Sequence, residues 1–137
     1  MTQPYSATIL EHYRNPRNQG SMTEPSLVEE GVNPLCGDRV RIELKLDAEM
    51  VCDARFTANA CAICVASASM LTGLVRNAPL DEVETLSVDD LMRTLDANVP
   101  RGRVGCVALP LTVMHAAVSL YRRGLARGQG AVGTRRP

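Results

Sequence analysis

From Arg39 to Leu46 the chain alternates charged and apolar side chains without a break: Arg-Val-Arg-Ile-Glu-Leu-Lys-Leu. A period of two places Val40, Ile42, Leu44 and Leu46 on one face, the pattern of a half-buried β-strand. Asp47-Ala-Glu-Met50 reads as a turn, and residues 50–57 (MVCDARFT) as the antiparallel return. On that return Cys52 alternates in step with Ala54 and Phe56, so Cys52 is expected to be a plain core thiol. The stretch 21–35 is polar and punctuated by Pro25, Gly31 and Pro34. It predicts one further strand at 27–32.

The period then changes. From Ala62 to Arg76 the residues are nearly all small or apolar and carry no charge before Arg76. That predicts a buried helix of about four turns. Asn77-Ala-Pro79 closes it. Residues 80–86 and 87–95 read as two short helices, the second capped by Ser87 with Asp89 and Asp90 in its first turn. Residues 97–105 form a loop with Pro100, Gly102 and Gly105. Leu111, Met114, Val118 and Tyr121 mark the stripe of a last helix over about 108–123, with Pro110 in its first turn. At the other end, Ser6 caps a short helix over 5–13, stopped by Asn15-Pro16 and expected to pack loosely. One helix, then strands, then helices is an α+β order: a small antiparallel sheet of about three strands with helices on one face. Residues 1–123 make one domain, and 124–137 a disordered Gly/Arg-rich tail.

Composition narrows the function. Fifteen basic residues balance fifteen acidic ones in 137, so charge gives no reason to expect nucleic acid or an anionic membrane. No apolar run is expected to span a bilayer. The opening MTQPYSATILEHYRNP lacks a secretory n-region, and the expected location is the cytoplasm. Five cysteines are many for a reducing compartment, where structural disulfides are rare. Metal binding or thiol chemistry then accounts for at least some of them.

Three of the five lie at element junctions. Cys36 heads the long strand, Cys61 stands where the return strand meets the buried helix, and Cys106 opens the last helix. A helix N-terminus favours the thiolate, which is both nucleophile and metal ligand. Asp38, two residues past Cys36 in an extended segment, adds an oxygen, and Gly37 allows close backbone approach. Three thiolates and a carboxylate suit zinc or anchor iron–sulfur chemistry. Cys64 makes a C-x-x-C with Cys61, but the charge-free turns after it would raise its pKa. It reads as a packing residue. His12 is expected on the exposed side of its helix, and His115 too far along its own helix to be a ligand.

Several motifs in order resemble the U-type iron–sulfur cluster assembly proteins, the family of IscU, SufU and the amino-terminal domain of NifU. They are Tyr5-Ser6, His12-Tyr-Arg-Asn-Pro-Arg-Asn18, Gly20-Ser21, Pro34-Leu-Cys-Gly-Asp38, Asp53-Ala-Arg-Phe56, Ala60-Cys-Ala-Ile63, Ala66-Ser-Ala-Ser-Met70 and Arg103-Val-Gly-Cys106. The resemblance runs from about Tyr5 to Arg122. It matches Cys36, Asp38, Cys61 and Cys106 to the family's ligands, and it implies the family fold. Gly105 stands where IscU-type proteins carry histidine, and a Leu-Pro-Pro-Val-Lys segment is absent. The Arg103-x-x-Cys106 context resembles SufU, while the short spacing from Cys61 to Cys106 resembles IscU.

On balance the resemblance is SufU-like. It implies zinc on those four residues and sulfur accepted from a cysteine desulfurase of the SufS/IscS type, for downstream iron–sulfur recipients or carriers. Cys36 is the expected persulfide acceptor, with Arg103 offsetting the negative charge of the site. The alternatives are a scaffold that builds and transfers a [2Fe–2S] cluster, or binds iron, on the same ligands; a Cys61/Cys64 thiol oxidoreductase; and a purely structural metal site. The sulfur-acceptor reading makes the chain sulfurtransferase-like rather than a stand-alone enzyme.

Overall fold

A computed structural model describes residues 6–126. Three antiparallel strands, β1 (Leu27–Asn33), β2 (Asp38–Asp47) and β3 (Met50–Asn59), form a sheet in sequential order among the described residues. The alternation of β2 is realised: Val40, Ile42 and Leu44 are fully buried, with α5 (Val104–Ala126) packed on β2 and α2 (Ala62–Val75) on β3. Two short helices, α3 (Leu80–Thr85) and α4 (Val88–Thr94), lie between these, and α1 (Ala7–Arg14) packs on α2. The α+β class, the strand count and the helical layer all match the reading of the sequence. The apolar faces merge into one core around Phe56, Ile42, Ile63, Leu71 and Met114.

The β2–β3 hairpin departs from strict alternation. Ala48 and Glu49 take positive φ at the turn, and the register slips at Lys45/Leu46, where Lys45 pairs Asp53 but Leu46 pairs Val51. The extra residue is Cys52. A bulge of one residue reverses the inward face beyond it, so Val51 is buried and Cys52 is exposed. The expected core thiol is thus on the surface.

Helix α1 is bound more tightly than its few apolar residues predict. Ile9 is fully buried, and the Ser6 hydroxyl accepts from the Ile9 N–H (3.1 Å) while donating to the Leu95 carbonyl (2.6 Å). His12 is not on an open face either. Its Nδ1 lies 2.7 Å from the hydroxyl of Ser69, which also accepts from the Arg17 N–H at 2.8 Å. Burial lowers the His12 pKa, which favours the neutral ring beside Ser69.

Helix α5 starts four residues earlier than predicted, which puts Pro110 inside it rather than at its entrance. It continues through 124–126, and the remainder of the expected tail lies outside the described residues. By length and composition the helix within 101–124 is apolar enough to cross a membrane, against expectation, but half of that window is buried in the domain. Its apolar face serves the core. Gly31 lets α5 lie close on β1: a Cβ there would stand 2.5 Å from Val113 Cγ2. That contact brings the start of α5 to the end of β1 where the Cys36 turn begins.

Candidate metal centre

The turn between β1 and β2 is organised by Asn33. Its side-chain Oδ1 accepts from the Leu35 N–H (3.0 Å), and its carbonyl accepts from the N–H groups of Cys36 (3.3 Å) and Gly37 (2.7 Å). Gly37 has φ of +78°, a conformation that side-chained residues adopt at a cost. Cys36 therefore approaches Asp38 around a tight turn, not along an extended segment as the i, i+2 spacing suggested. The turn projects outward, with Cys36 exposed and Leu35 96% exposed. Asn33 was missed from sequence, although Asn-Pro is a turn signal.

Asp38 opens β2 and is only 4% exposed. The pairing of Arg39 with Asn59 sets the start of β2 beside the end of β3, from which the chain passes to Cys61, the N-cap of α2. There the Cys61 N–H donates to Asp38 Oδ1 at 3.0 Å. The other oxygen, Oδ2, is buried and has no hydrogen-bond partner. A buried carboxylate oxygen left in that state is costly, and a cation is one thing that would satisfy it.

Cys106 sits in the first turn of α5, 2% exposed. Its sulfur, the Cys36 sulfur and an Asp38 oxygen lie within 4.8 Å of one another. Thiolates around a tetrahedral zinc stand about 3.8 Å apart, so a small contraction closes this trio on an ion. Cys61 is outside the trio by that measure, yet its N–H reaches Asp38 and its thiol is near enough to raise the Cys106 pKa. The four sequence-predicted donors are thus neighbours, brought together by one turn, one strand start and two helix starts. Their soft sulfur and single carboxylate fit zinc and also fit iron–sulfur chemistry.

The electrostatics differ from expectation at one position. A helix head should depress a thiol pKa, but burial raises Cys106 to about 12, against the lowering effect of a hydrogen bond from Arg103. Without a cation Cys106 is a neutral thiol; a bound cation would reverse that balance. Cys64 is fully buried, and burial followed by the nearby Asp38 charge raises its pKa strongly, as a packing residue should show. Gly105 matters sterically, because a Cβ there would meet the Asn33 side-chain nitrogen at 3.2 Å. The residue before Cys106 therefore touches the residue that shapes the Cys36 turn. His115 is engaged elsewhere, its Nε2 lying 2.9 Å from the Val83 carbonyl.

Residues 4–127 match the family described as the NifU-like N terminal domain. The chain is 33% identical over 136 residues to the zinc-dependent sulfurtransferase SufU of Bacillus subtilis, covering 92% of each protein. It is 31% identical over 123 residues to the iron–sulfur cluster assembly scaffold protein IscU of Aquifex aeolicus, covering 88% of this chain and 78% of that one. Among solved structures, the FiSufU protein of Fervidobacterium islandicum AW-1 superposes with a TM-score of 0.72 at 23% identity, over 83% of this chain and 96% of the other. The amino-terminal part of a NifU-like protein from Brucella abortus gives 0.70 at 25% identity, over 85% and 92%.

Proposed function

This chain belongs to the NifU-like N-terminal domain family of iron–sulfur cluster assembly proteins, and from that premise we propose that it is a zinc-dependent acceptor of persulfide sulfur. The observation that supports this most is the contrast within the site. Asp38 presents a buried, unpartnered oxygen beside a buried thiol, while Cys36 stands exposed on a projecting turn. Cys36, Asp38, Cys61 and Cys106 would hold the zinc. When bound, zinc supplies a charge that keeps the thiols ionised near neutral pH.

The residues then divide the work. Cys36 Sγ, as thiolate, attacks the outer sulfur of a cysteine persulfide presented by a desulfurase in the cytoplasm. The sulfur–sulfur bond of the donor breaks, its electron pair leaves on the donor cysteine, and Cys36 is left as the persulfide. One sulfur moves without any change in the total number of electrons. Asp38 is held by the Cys61 N–H, which fixes one oxygen and leaves the other for the ion. The Arg103 guanidinium, hydrogen-bonded to Cys106, offsets the negative charge of three thiolates and a carboxylate. The sulfur would pass on to iron–sulfur recipients or carriers. Cys64 stays out of this chemistry because it is sealed in the core.

The test is metal and acid-labile sulfide analysis of protein purified without oxygen, followed by mass spectrometry after desulfurase turnover. Stoichiometric zinc without labile sulfide, and one added sulfur on Cys36, are expected. Iron with labile sulfide would instead make the chain a scaffold with a [2Fe–2S] cluster as its cargo. Added sulfur found only on Cys106 would remove Cys36 from the acceptor role.

A further inference from the structure

Two of the candidate ligands sit on different helices, and a buried hydrogen bond connects those helices next to the site. Ser67, on α2 beyond Cys61 and Cys64, donates its hydroxyl to the carbonyl of Val107 at 2.7 Å. Ser67 and Val107 are both fully buried. Val107 follows Cys106 directly, in the first turn of α5. The bond therefore runs from the helix capped by Cys61 to the turn that carries Cys106.

The place is unusual in another way. Pro110 stands inside α5, four residues after Cys106. Proline has no N–H, so the Cys106 carbonyl lacks the donor that an α-helix would normally give it, and the ring crowds that same carbonyl. The turn bearing Cys106 is thus less firmly tied to the rest of α5 than a helix start usually is. Ser67 ties it sideways to α2 instead. The other buried hydroxyls of α2 reach neither α5 nor the site: Ser69 meets His12 and Arg17, and Thr72 donates back into its own helix, to Ala68 (2.9 Å) or Ser69 (3.1 Å), while accepting from Asn18 (3.3 Å).

We propose that Ser67 is a positioning residue for the metal centre, holding the Cys106 turn in register with Cys61 where Pro110 leaves the Cys106 carbonyl without its helix donor. This rests on the zinc reading above. Outer partners that fix a ligand commonly alter metal affinity about 10–100-fold when removed, and an effect of that size is expected here. A lost hydroxyl that mattered only for packing would lower stability without changing the ligand field.

The experiment measures zinc affinity by chelator competition and the thiolate-to-cobalt charge-transfer and d–d bands of the cobalt-substituted protein. Wild type, Ser67→Ala, Thr72→Val and Ser67→Ala/Pro110→Ala are compared, with unfolding of each metal-free protein recorded alongside. Ser67→Ala is expected to weaken zinc binding at least tenfold and to shift the cobalt bands, while Thr72→Val loses stability with affinity and bands unchanged. The double variant, in which residue 110 again donates to the Cys106 carbonyl, should recover most of the lost affinity. It also keeps the test open if Ser67→Ala alone folds poorly.

Unchanged cobalt bands in Ser67→Ala, an equal loss of affinity in Thr72→Val, or no recovery in the double variant would each overturn the proposal. Failure of the wild-type protein to bind zinc or cobalt would instead overturn the zinc reading itself.

Discussion

The two sides of the candidate centre are built in opposite ways. On one side, Cys61 and Cys106 stand at helix starts packed into the core, and Cys106 is almost wholly buried. On the other, Cys36 rides a turn held by three hydrogen bonds to Asn33, with its neighbour Leu35 bare to solvent. Asp38 lies at the seam, buried like the helix side but adjacent in sequence to the turn. In the proposed function that difference would separate holding from reaching: the packed side would fix where the ion sits, and the projecting side would offer a sulfur to another molecule.

The strongest test of that contrast is ligand removal. Cys106→Ser or Cys61→Ser should abolish zinc retention, with a loss of affinity exceeding the roughly 100-fold upper range for outer partners. Cys36→Ser should weaken binding less, because the packed ligands remain, yet it should eliminate sulfur acceptance. Zinc competition and mass spectrometry after desulfurase turnover read the two properties separately. Full zinc retention in Cys106→Ser would break the division, since the packed side would then hold nothing.

The next test acts on the frame beneath both sides. Gly31→Ala places a Cβ 2.5 Å from the buried Val113 side chain. Overpacking of this kind costs about 1–3 kcal/mol, and α5 must move off β1 to relieve it. A fall in melting temperature of about 2–4 °C per kcal/mol is expected for a chain of this size. Because α5 carries Cys106, zinc affinity should fall as well. A variant with lowered stability and unaltered zinc affinity would show that the close contact serves the core alone.

How much of this was legible in the chain follows the same division. The cysteine-bearing junctions could be read because periodicity changes there: period two ends at Asn59, the helical run begins at Ala62, and Cys61 lies between. The fold class could be read from the same changes. What could not be read were features set by tertiary register. The bulge that exposes Cys52 depends on how Leu46 meets Val51, and neither strand alone encodes it. The start of α5 was misplaced because Gly105 and Pro110 both argue locally against helix, and packing on β1 overrides them. Asn33, Gly31 and Ser67 are ordinary residues until their partners are known.

A pH titration sharpens the buried side further. In the metal-free protein Cys106 is raised from 9.0 to about 12, chiefly by burial. A thiol with a raised folded pKa gives stability that is complete below its unfolded pKa and disappears as pH rises through the folded value. Metal-free protein should therefore become less stable from about pH 9 upward, since unfolded thiols ionise near pH 8.5. Cys106→Ser should flatten part of that decline. Near neutral pH, zinc binding should release the Cys106 proton, seen as a dependence of binding heat on buffer ionisation enthalpy. No such dependence would mean that the thiol is already ionised, and the helix head would then outweigh burial.

The smallest effect is expected at Cys64, one turn from Cys61 and the only cysteine with no exposed surface. Its thiol is raised by burial first, then by Asp38 and by the three other cysteines of the centre. Each of those influences favours the neutral form, so Cys64 is a poor nucleophile and a poor ligand despite its spacing. Cys64→Ala removes one buried sulfur, and a small-cavity cost of about 1 kcal/mol is expected. Zinc affinity and sulfur acceptance should stay within twofold of wild type. The opposite result, loss of activity together with a Cys61–Cys64 disulfide on mild oxidation, would turn the C-x-x-C into a functional pair. It would also require the buried side of the centre to open, which its packing in the core opposes.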